Sequence, residues 1–286
     1  MGTKITIADL AEAKRRGKKI SAVSCYDYTT AKLAGQTGVE MLLAGDSAAQ
    51  FMLGYDTTLP ATMDFMVAIT AAVRRAAPNV CLVADMPFLS YHVSVPKAVE
   101  NAGRFFTECG VQMVKIEASE SYLDVVKAIG DAGMAVMGHI GIRPQSINKV
   151  GRLRAEAKTV QQAQELIRLA DQLVEAGVCS LLLEGVAAEV SEIITKRYEL
   201  PVIGCGSGPG CDGQILIAPD ILGLTTEKPK FAKNYCDIQE TIIKAFGRYD
   251  KDVKGKKYPD AKHSYHIKSG ELKKLIKTLA DREFFF

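Results

Sequence analysis

Asp46, Asp85, Glu117 and Glu184 share one sequence setting: each closes a short apolar run, in MLLAGDS at Met41–Ser47, CLVAD at Cys81–Asp85, MVKIE at Met113–Glu117 and SLLLE at Ser180–Glu184. A buried parallel strand reads as such a run and delivers polar groups at its carboxyl end. Asp46, Asp85 and Glu117 offer hard oxygen donors for a divalent cation, and Mg2+ suits them best because it keeps waters or substrate oxygens in its octahedron. Zinc is disfavoured, since no Cys/His cluster stands at zinc-ligand spacing. A Mg2+ ion chelating a 2-oxo acid through its carboxylate and keto oxygens would polarise the carbonyl and stabilise an enolate.

The remaining polar residues fit roles around such a substrate. Lys115 supplies charge for the substrate carboxylate and Ser47 a hydrogen bond, with Asp46 and Asp85 lying against the same molecule. Glu184 has two readings: a base whose apolar strand favours its neutral form, or a carboxylate answering the dipole of the next helix. His139 either hydrogen-bonds substrate or a metal-bound water, or is a satisfied core histidine. Tyr26 either reaches the oxo acid from the first strand or packs.

The elements that must position these residues alternate. Strands are expected at Ile20–Cys25, Val39–Leu43, Val80–Ala84, Val111–Ile116, Ala135–Gly138, Ser180–Leu183, Val202–Gly204 and Gln214–Ile217. Helices are expected at Ile7–Arg16, capped by Thr6, and at Thr29–Gly35, Asp64–Ala76, Val95–Cys109, Tyr122–Ala132, Thr159–Ala176 and Ala188–Tyr198. Eight strands in βα alternation predict an α/β fold, a (β/α)8 TIM barrel with an N-terminal helix and a C-terminal helical extension. An open doubly wound sheet explains the alternation equally well, but it does not need polar residues at nearly every strand end. In a barrel those ends meet in one pocket, and the clustered acids then require positive charge between them. The glycine-rich Gly204–Gly213 run is either a phosphate cradle or a tight turn, and it matches neither the P-loop nor the dinucleotide fingerprint.

Length and composition bound the rest. The 286 residues, 48% hydrophobic, can bury a full barrel core as a single domain, the core at about 19–224 and the extension at 225–286. A net charge of +3 gives no reason to invoke nucleic acid or a membrane, and the basic Lys251–His263 run reads as a solvated linker. Seven cysteines without a C-x-x-C pair read as reduced thiols of a cytoplasmic protein. No signal peptide or membrane-length apolar run is present, and the Phe284–Phe286 tip after a helix at Ser269–Asp281 is expected to pack on a neighbouring subunit.

Nine segments in order resemble the ketopantoate hydroxymethyltransferase family, a barrel family of the phosphoenolpyruvate mutase/isocitrate lyase-like superfamily. They are GDS at Gly45–Ser47, LGYDTTLP at Leu53–Pro60, AVRRAAPN at Ala72–Asn79, VADMPFLSY at Val83–Tyr91, MVKIE at Met113–Glu117, GHIGIRPQSIN at Gly138–Asn148, LLLEGV at Leu181–Val186, PVIGCGSGPGCDGQIL at Pro201–Leu216 and DILGL at Asp220–Leu224. The resemblance implies a Mg2+-dependent enzyme of pantothenate biosynthesis. It would move a one-carbon unit from 5,10-methylenetetrahydrofolate, as co-substrate, onto 3-methyl-2-oxobutanoate to give 2-dehydropantoate. It also implies metal ligands Asp46 and Asp85 with Glu117 beside them, oxo-acid contacts from Ser47 and Lys115, Glu184 as base, and a homo-oligomer, commonly a decamer.

Two segments depart from the family pattern. After Asn148 a glycine-rich loop resembling GGYxVQGR is usual, whereas Val150–Lys158 reads VGRLRAEAK, with Arg152 for glycine and Glu156-Ala157 for Gln-Gly. That loop is expected to lose its glycine-dependent backbone. Ala48-Ala49-Gln50 replaces a Leu-Gly-Met type of run, and Cys205 and Ser207 stand for Ile and Ala. The alternatives are a related Mg2+-dependent barrel lyase or aldolase acting on another 2-oxo acid, and a degenerate barrel kept as a scaffold.

Overall fold

The structure is a computed structural model that describes residues 3–225 and 229–280. Eight parallel strands close in sequence order: β1 Ile20–Ser24, β2 Met41–Ala44, β3 Cys81–Asp85, β4 Met113–Glu117, β5 Val136–Gly141, β6 Ser180–Glu184, β7 Val202–Cys205 and β8 Gly213–Ile217, which returns to β1. The barrel expected from the alternation is therefore the observed fold, and the open sheet is excluded.

Strand residues alternate between two cores, as the two-residue period of a strand requires. One set (Leu42, Leu82, Val114, Ile116, Leu181, Leu183, Val202) faces out and packs with helix residues such as Met66, Phe105, Ile129, Leu173 and Ile194. The other set (Ile20, Ala22, Met41, Leu43, Cys81, Val83, Met113, Met137, Leu182, Ile203, Ile215) fills the barrel, and Leu10 of the N-terminal helix Ile7–Arg15 joins it. Thr6 caps that helix reciprocally with Asp9, as its position suggested.

The interior parity continues upward into polar residues. Two positions beyond Ala22, Val83, Met113, Met137 and Leu182 come Ser24, Asp85, Lys115, His139 and Glu184, and Glu117 follows Lys115 by the same step. The lower barrel is thus sealed by methionines and branched aliphatics, while the layer at the carboxyl ends is chemical. Lys115 and Glu117 consequently share one face of β4.

Most strands return through helices, including Tyr28–Ala34, Met63–Ala76, Val95–Arg104, Leu123–Asp131, Val160–Glu175 and Ala188–Arg197. β7 passes to β8 through the glycine-rich turn itself. There a Cβ on Gly208 would stand 2.4 Å from Ala188 Cβ, and one on Gly210 would stand 2.7 Å from Glu192 Cβ. The absent side chains at Gly208 and Gly210 let the turn lie on the helix Ala188–Arg197.

The chain divides into two compact units at Cys236/Asp237. The C-terminal unit holds the helices Ile238–Lys254 and Ser269–Ala280. The first of these runs through Lys251–Lys254, so the basic segment taken as a linker is helical at its start. Phe284–Phe286 lie outside the described residues. Among the described residues no helix is long and apolar enough to cross a membrane, and all seven cysteines are free.

Candidate active site

The polar layer opens into a cavity of about 510 Å³ lined by Ser24, Gly45, Asp46, Ser47, Asp85, Lys115, Glu117, His139, Glu184 and Cys205, among others. Barrel register sets their order around the rim: Asp85 pairs with Lys115, Glu117 with His139, Gly141 with Glu184, and Glu184 with Cys205. Of the residues expected at the site, Asp46, Ser47, Asp85, Lys115, Glu117, His139 and Glu184 all face this one cavity. Tyr26 stands behind it: its hydroxyl lies 2.8 Å from Ser47 Oγ and its ring stacks on Phe51. It therefore orients Ser47 from the back of the wall.

Charge dominates the geometry. Lys115 Nζ lies 2.7 Å from Asp85 Oδ1, both side chains buried. Asp85 Oδ2 accepts the backbone N–H of Asp46 at 3.2 Å. Asp46 Oδ2 in turn accepts from Gln145 Nε2 at 2.8 Å. Burial, and then the neighbouring Asp85, push the Asp46 carboxyl up to about 8. Burial likewise raises Glu117 well above the usual carboxylate range, with Lys115 opposing. Burial works against the charge on Lys115, but Asp85, Asp46 and Glu117 outweigh it and raise its pKa overall. Among the described residues that line the cavity, Lys115 is the one cationic side chain, set among Asp46, Asp85, Glu117 and Glu184 with Asp56 and Asp220 farther along the wall.

His139 links the two sides of the site. Lys115 Nζ stands 3.2 Å from His139 Nδ1. An ammonium can only donate, so Nδ1 accepts and the proton of the neutral ring sits on Nε2. Burial, and then Lys115, lower the His139 pKa and keep the ring neutral. Nε2 points toward Glu184, 3.4 Å from Oε2, without a hydrogen bond among the described residues. Glu184 is the most open member of the layer, its side chain 22% exposed. The helix after it begins at Ala188, and its N-cap position, Ala187, makes no side-chain cap hydrogen bond.

The donor set can be tested for a metal. Among the described residues no three His, Cys, Asp or Glu side chains converge at metal-ligand geometry. Asp46 and Asp85 are nevertheless adjacent, hard and buried in a site with surplus negative charge. Mg2+ needs only one or two carboxylates with waters or substrate oxygens for the rest, so the residues present fit such an ion.

Gln145 was not marked by the sequence reading. A neutral amide has no ligand spacing and no charge, and the PQS stretch that carries it registered only as part of a longer matching segment. The departing segments are also placed. Ala48 and Ala49 are fully buried in the outer core, and only Gln50 and Phe51 of that short helix line the cavity. In the Val150–Lys158 loop, Leu153 lines the cavity, and Ala157 holds φ +57. At Ala157 an alanine takes the left-handed conformation, at a cost of about 1–2 kcal/mol.

The fold and its polar rim define a class: closed (β/α)8 barrels that gather carboxylates at the mouth. Phosphonopyruvate hydrolase, solved with oxalate and Mg2+, shares the architecture at TM-score 0.62 and 14% identity, covering 98% of this chain and 99% of that one. So does 2,3-dimethylmalate lyase, a PEP mutase/isocitrate lyase superfamily member, at TM-score 0.59 and 15% identity over 99% and 95%. The profile of the ketopantoate hydroxymethyltransferase family matches residues 4–261. Two 3-methyl-2-oxobutanoate hydroxymethyltransferases are similar along nearly their whole length: that of Thermoanaerobacter sp. (strain X514) is 42% identical over 96% of this chain and 100% of its own, and that of Koribacter versatilis 44% identical over 93% and 90%. The chain belongs to the ketopantoate hydroxymethyltransferase family.

Proposed function

We propose that this chain transfers a hydroxymethyl group from 5,10-methylenetetrahydrofolate to 3-methyl-2-oxobutanoate, giving 2-dehydropantoate in pantothenate biosynthesis. The observation that carries the reading is the convergence of Asp46, Asp85, Lys115 and Glu117 opposite Glu184 in one cavity. Asp46 and Asp85, with Glu117 beside them, would hold Mg2+, which supplies Lewis acidity toward the oxygens of the 2-oxo acid. Ser47, held by Tyr26, and Lys115 orient the substrate carboxylate. Glu184, at the solvent-reached edge, takes the proton from C3, and the neutral His139 ring presents Nε2–H toward the same carboxylate. The C3 electron pair then forms the new C–C bond to the one-carbon unit, and both C–N bonds that hold that carbon to N5 and N10 of tetrahydrofolate break, the two nitrogens taking up the C3 proton and one proton of a water. One water is consumed and leaves its oxygen in the hydroxymethyl group.

The free thiols agree with a cytoplasmic setting. Exposed Ile242, Ile243, Phe246, Leu275, Ile276 and Leu279 of the C-terminal unit agree with a homo-oligomer.

The purified protein, incubated with Mg2+ and 3-methyl-2-oxobutanoate in deuterium oxide, should exchange the C3 proton and form 2-dehydropantoate when the folate donor is added. Absence of exchange would falsify the C3 proton-transfer reading. Exchange without product would move the assignment to a lyase or aldolase on the same barrel.

A further inference from the structure

A single buried amide ties three strands' ends together. Gln145 lies on the turn Pro144–Ser146 after β5 and is 4% exposed. Its Nε2 donates to Asp46 Oδ2 at 2.8 Å and to the Met86 carbonyl at 3.0 Å. Its Oε1 accepts from the Tyr91 hydroxyl at 2.8 Å. Its backbone N–H donates to Glu117 Oε2 at 3.0 Å and Oε1 at 3.2 Å. The amide orientation is fixed by these partners, because a carbonyl can only accept and so must face nitrogen, which leaves Oε1 for the phenol. Tyr91 is itself held edge-on by Tyr122, with ring centroids 5.4 Å apart.

Chemistry explains why an amide suits this place. The Glu117 carboxyl is served by the Gln145 backbone N–H, which any residue but proline would supply, so the side chain is needed only to donate to Asp46 and the Met86 carbonyl. A lysine or arginine would do so but would add a cation where the site has room for a divalent one. A glutamine donates twice without charge. By engaging Asp46 Oδ2, it fixes the rotation of that carboxyl group.

We propose that Gln145, locked by Tyr91, is a positioning residue whose side chain sets the Asp46 carboxylate for divalent-cation binding. The inference rests on the metal reading above. It assigns Gln145 no contact with substrate. Partners that orient metal-ligating groups in this way are commonly worth about 10–100-fold in metal affinity.

The test is Mn2+ affinity of the purified full chain, followed by electron paramagnetic resonance and by calorimetry, with thermal melting alongside. Gln145→Met keeps length and bulk but removes both donors and the acceptor. It should weaken Mn2+ binding about 10–100-fold in protein that remains folded. Tyr91→Phe, which leaves the amide in place but frees it to turn, should weaken binding in the same direction by less, and it keeps the proposal testable should Gln145→Met not fold. A merely structural role would lower the melting temperature of both variants and leave the affinity of the folded protein unchanged; that outcome overturns the proposal. If the wild-type chain binds no divalent cation, the metal reading fails first and takes this inference with it. Wild-type binding matched by both variants overturns the inference alone.

Discussion

Asp85 and Lys115 are direct cross-strand partners of β3 and β4, and their side chains meet at 2.7 Å inside the barrel. Register alone brings them together, since both occupy interior positions one layer above Val83 and Met113. Asp46 and Glu117 draw on the same ammonium. Lys115→Met should therefore do more than remove a substrate contact. It leaves buried carboxylates uncompensated, a change that costs about 3–5 kcal/mol when a buried pair loses one member. Denaturant unfolding in the presence of a chelator should show a loss of that size, and added Mg2+ should recover part of it by binding the folded state. A loss under about 1 kcal/mol would mean that the pair does not carry the charge balance of the site.

The same imbalance predicts a pH dependence with a definite sign. The Asp46 carboxyl rises from 3.8 to about 8 on folding, chiefly through burial. The metal-free folded state therefore binds a proton that the unfolded chain has released. The stabilisation is complete below the unfolded value and is lost as pH rises through the folded one, a window from about 4 to about 8. A divalent cation must displace that proton, so its affinity should strengthen as pH climbs across the same window. Melting curves with chelator should fall in temperature across it, and with Mg2+ the fall should shrink or reverse. A Mg2+-induced stabilisation independent of pH would show that the cation does not compete with a proton at Asp46.

Gly141 predicts a purely steric effect. It ends β5 at φ +94, and a Cβ there would stand 2.3 Å from the Glu184 carbonyl oxygen and 2.7 Å from Val186 Cγ2. The next residue, Ile142, donates its N–H to that same carbonyl at 2.8 Å. The glycine is what lets β5 and the end of β6 approach closely enough to set Glu184. Gly141→Ala should cost about 1–3 kcal/mol in backbone strain alone, and the enforced shift of Glu184 should lower transfer activity further. A variant with wild-type unfolding free energy and full activity would remove this role.

What could be read in the sequence follows physical range. The barrel was legible because the strand signal recurs eight times, with polar residues such as Asp46, Asp85, Glu117 and Glu184 at nearly every strand end, and no single boundary had to be right. Charged site residues were legible for the same reason: a carboxylate at the end of a buried strand has few bland explanations. Gln145 was not, because a neutral amide is defined only by what it touches, and its partners Asp46, Met86 and Tyr91 lie far away along the chain. Tyr26 was left between contact with the oxo acid and packing, because a two-residue period cannot decide a side once the strand has ended, and its hydroxyl lies 2.8 Å from Ser47 Oγ. Ala157 shows the converse limit. The change of residue type was legible, but that a buried alanine holds the left-handed region there was not.

Glu184 and His139 together give the sharpest test of the chemistry. His139 is neutral, presents Nε2–H toward Glu184 and receives its own hydrogen bond from Lys115. Glu184 is the one carboxylate of the layer in substantial reach of solvent and the one not engaged by Lys115 or Gln145 among the described residues. Its substitution should separate proton transfer from binding. Glu184→Gln preserves shape and should reduce C3 exchange of 3-methyl-2-oxobutanoate by about 100-fold or more, the usual worth of a positioned base. Divalent-cation affinity should stay at the wild-type level, because Asp46, Asp85 and Glu117 are untouched. Nuclear magnetic resonance of the C3 proton and Mn2+ titration read the two effects independently. Loss of both would make Glu184 a structural part of the cation site, and retained exchange would require another base.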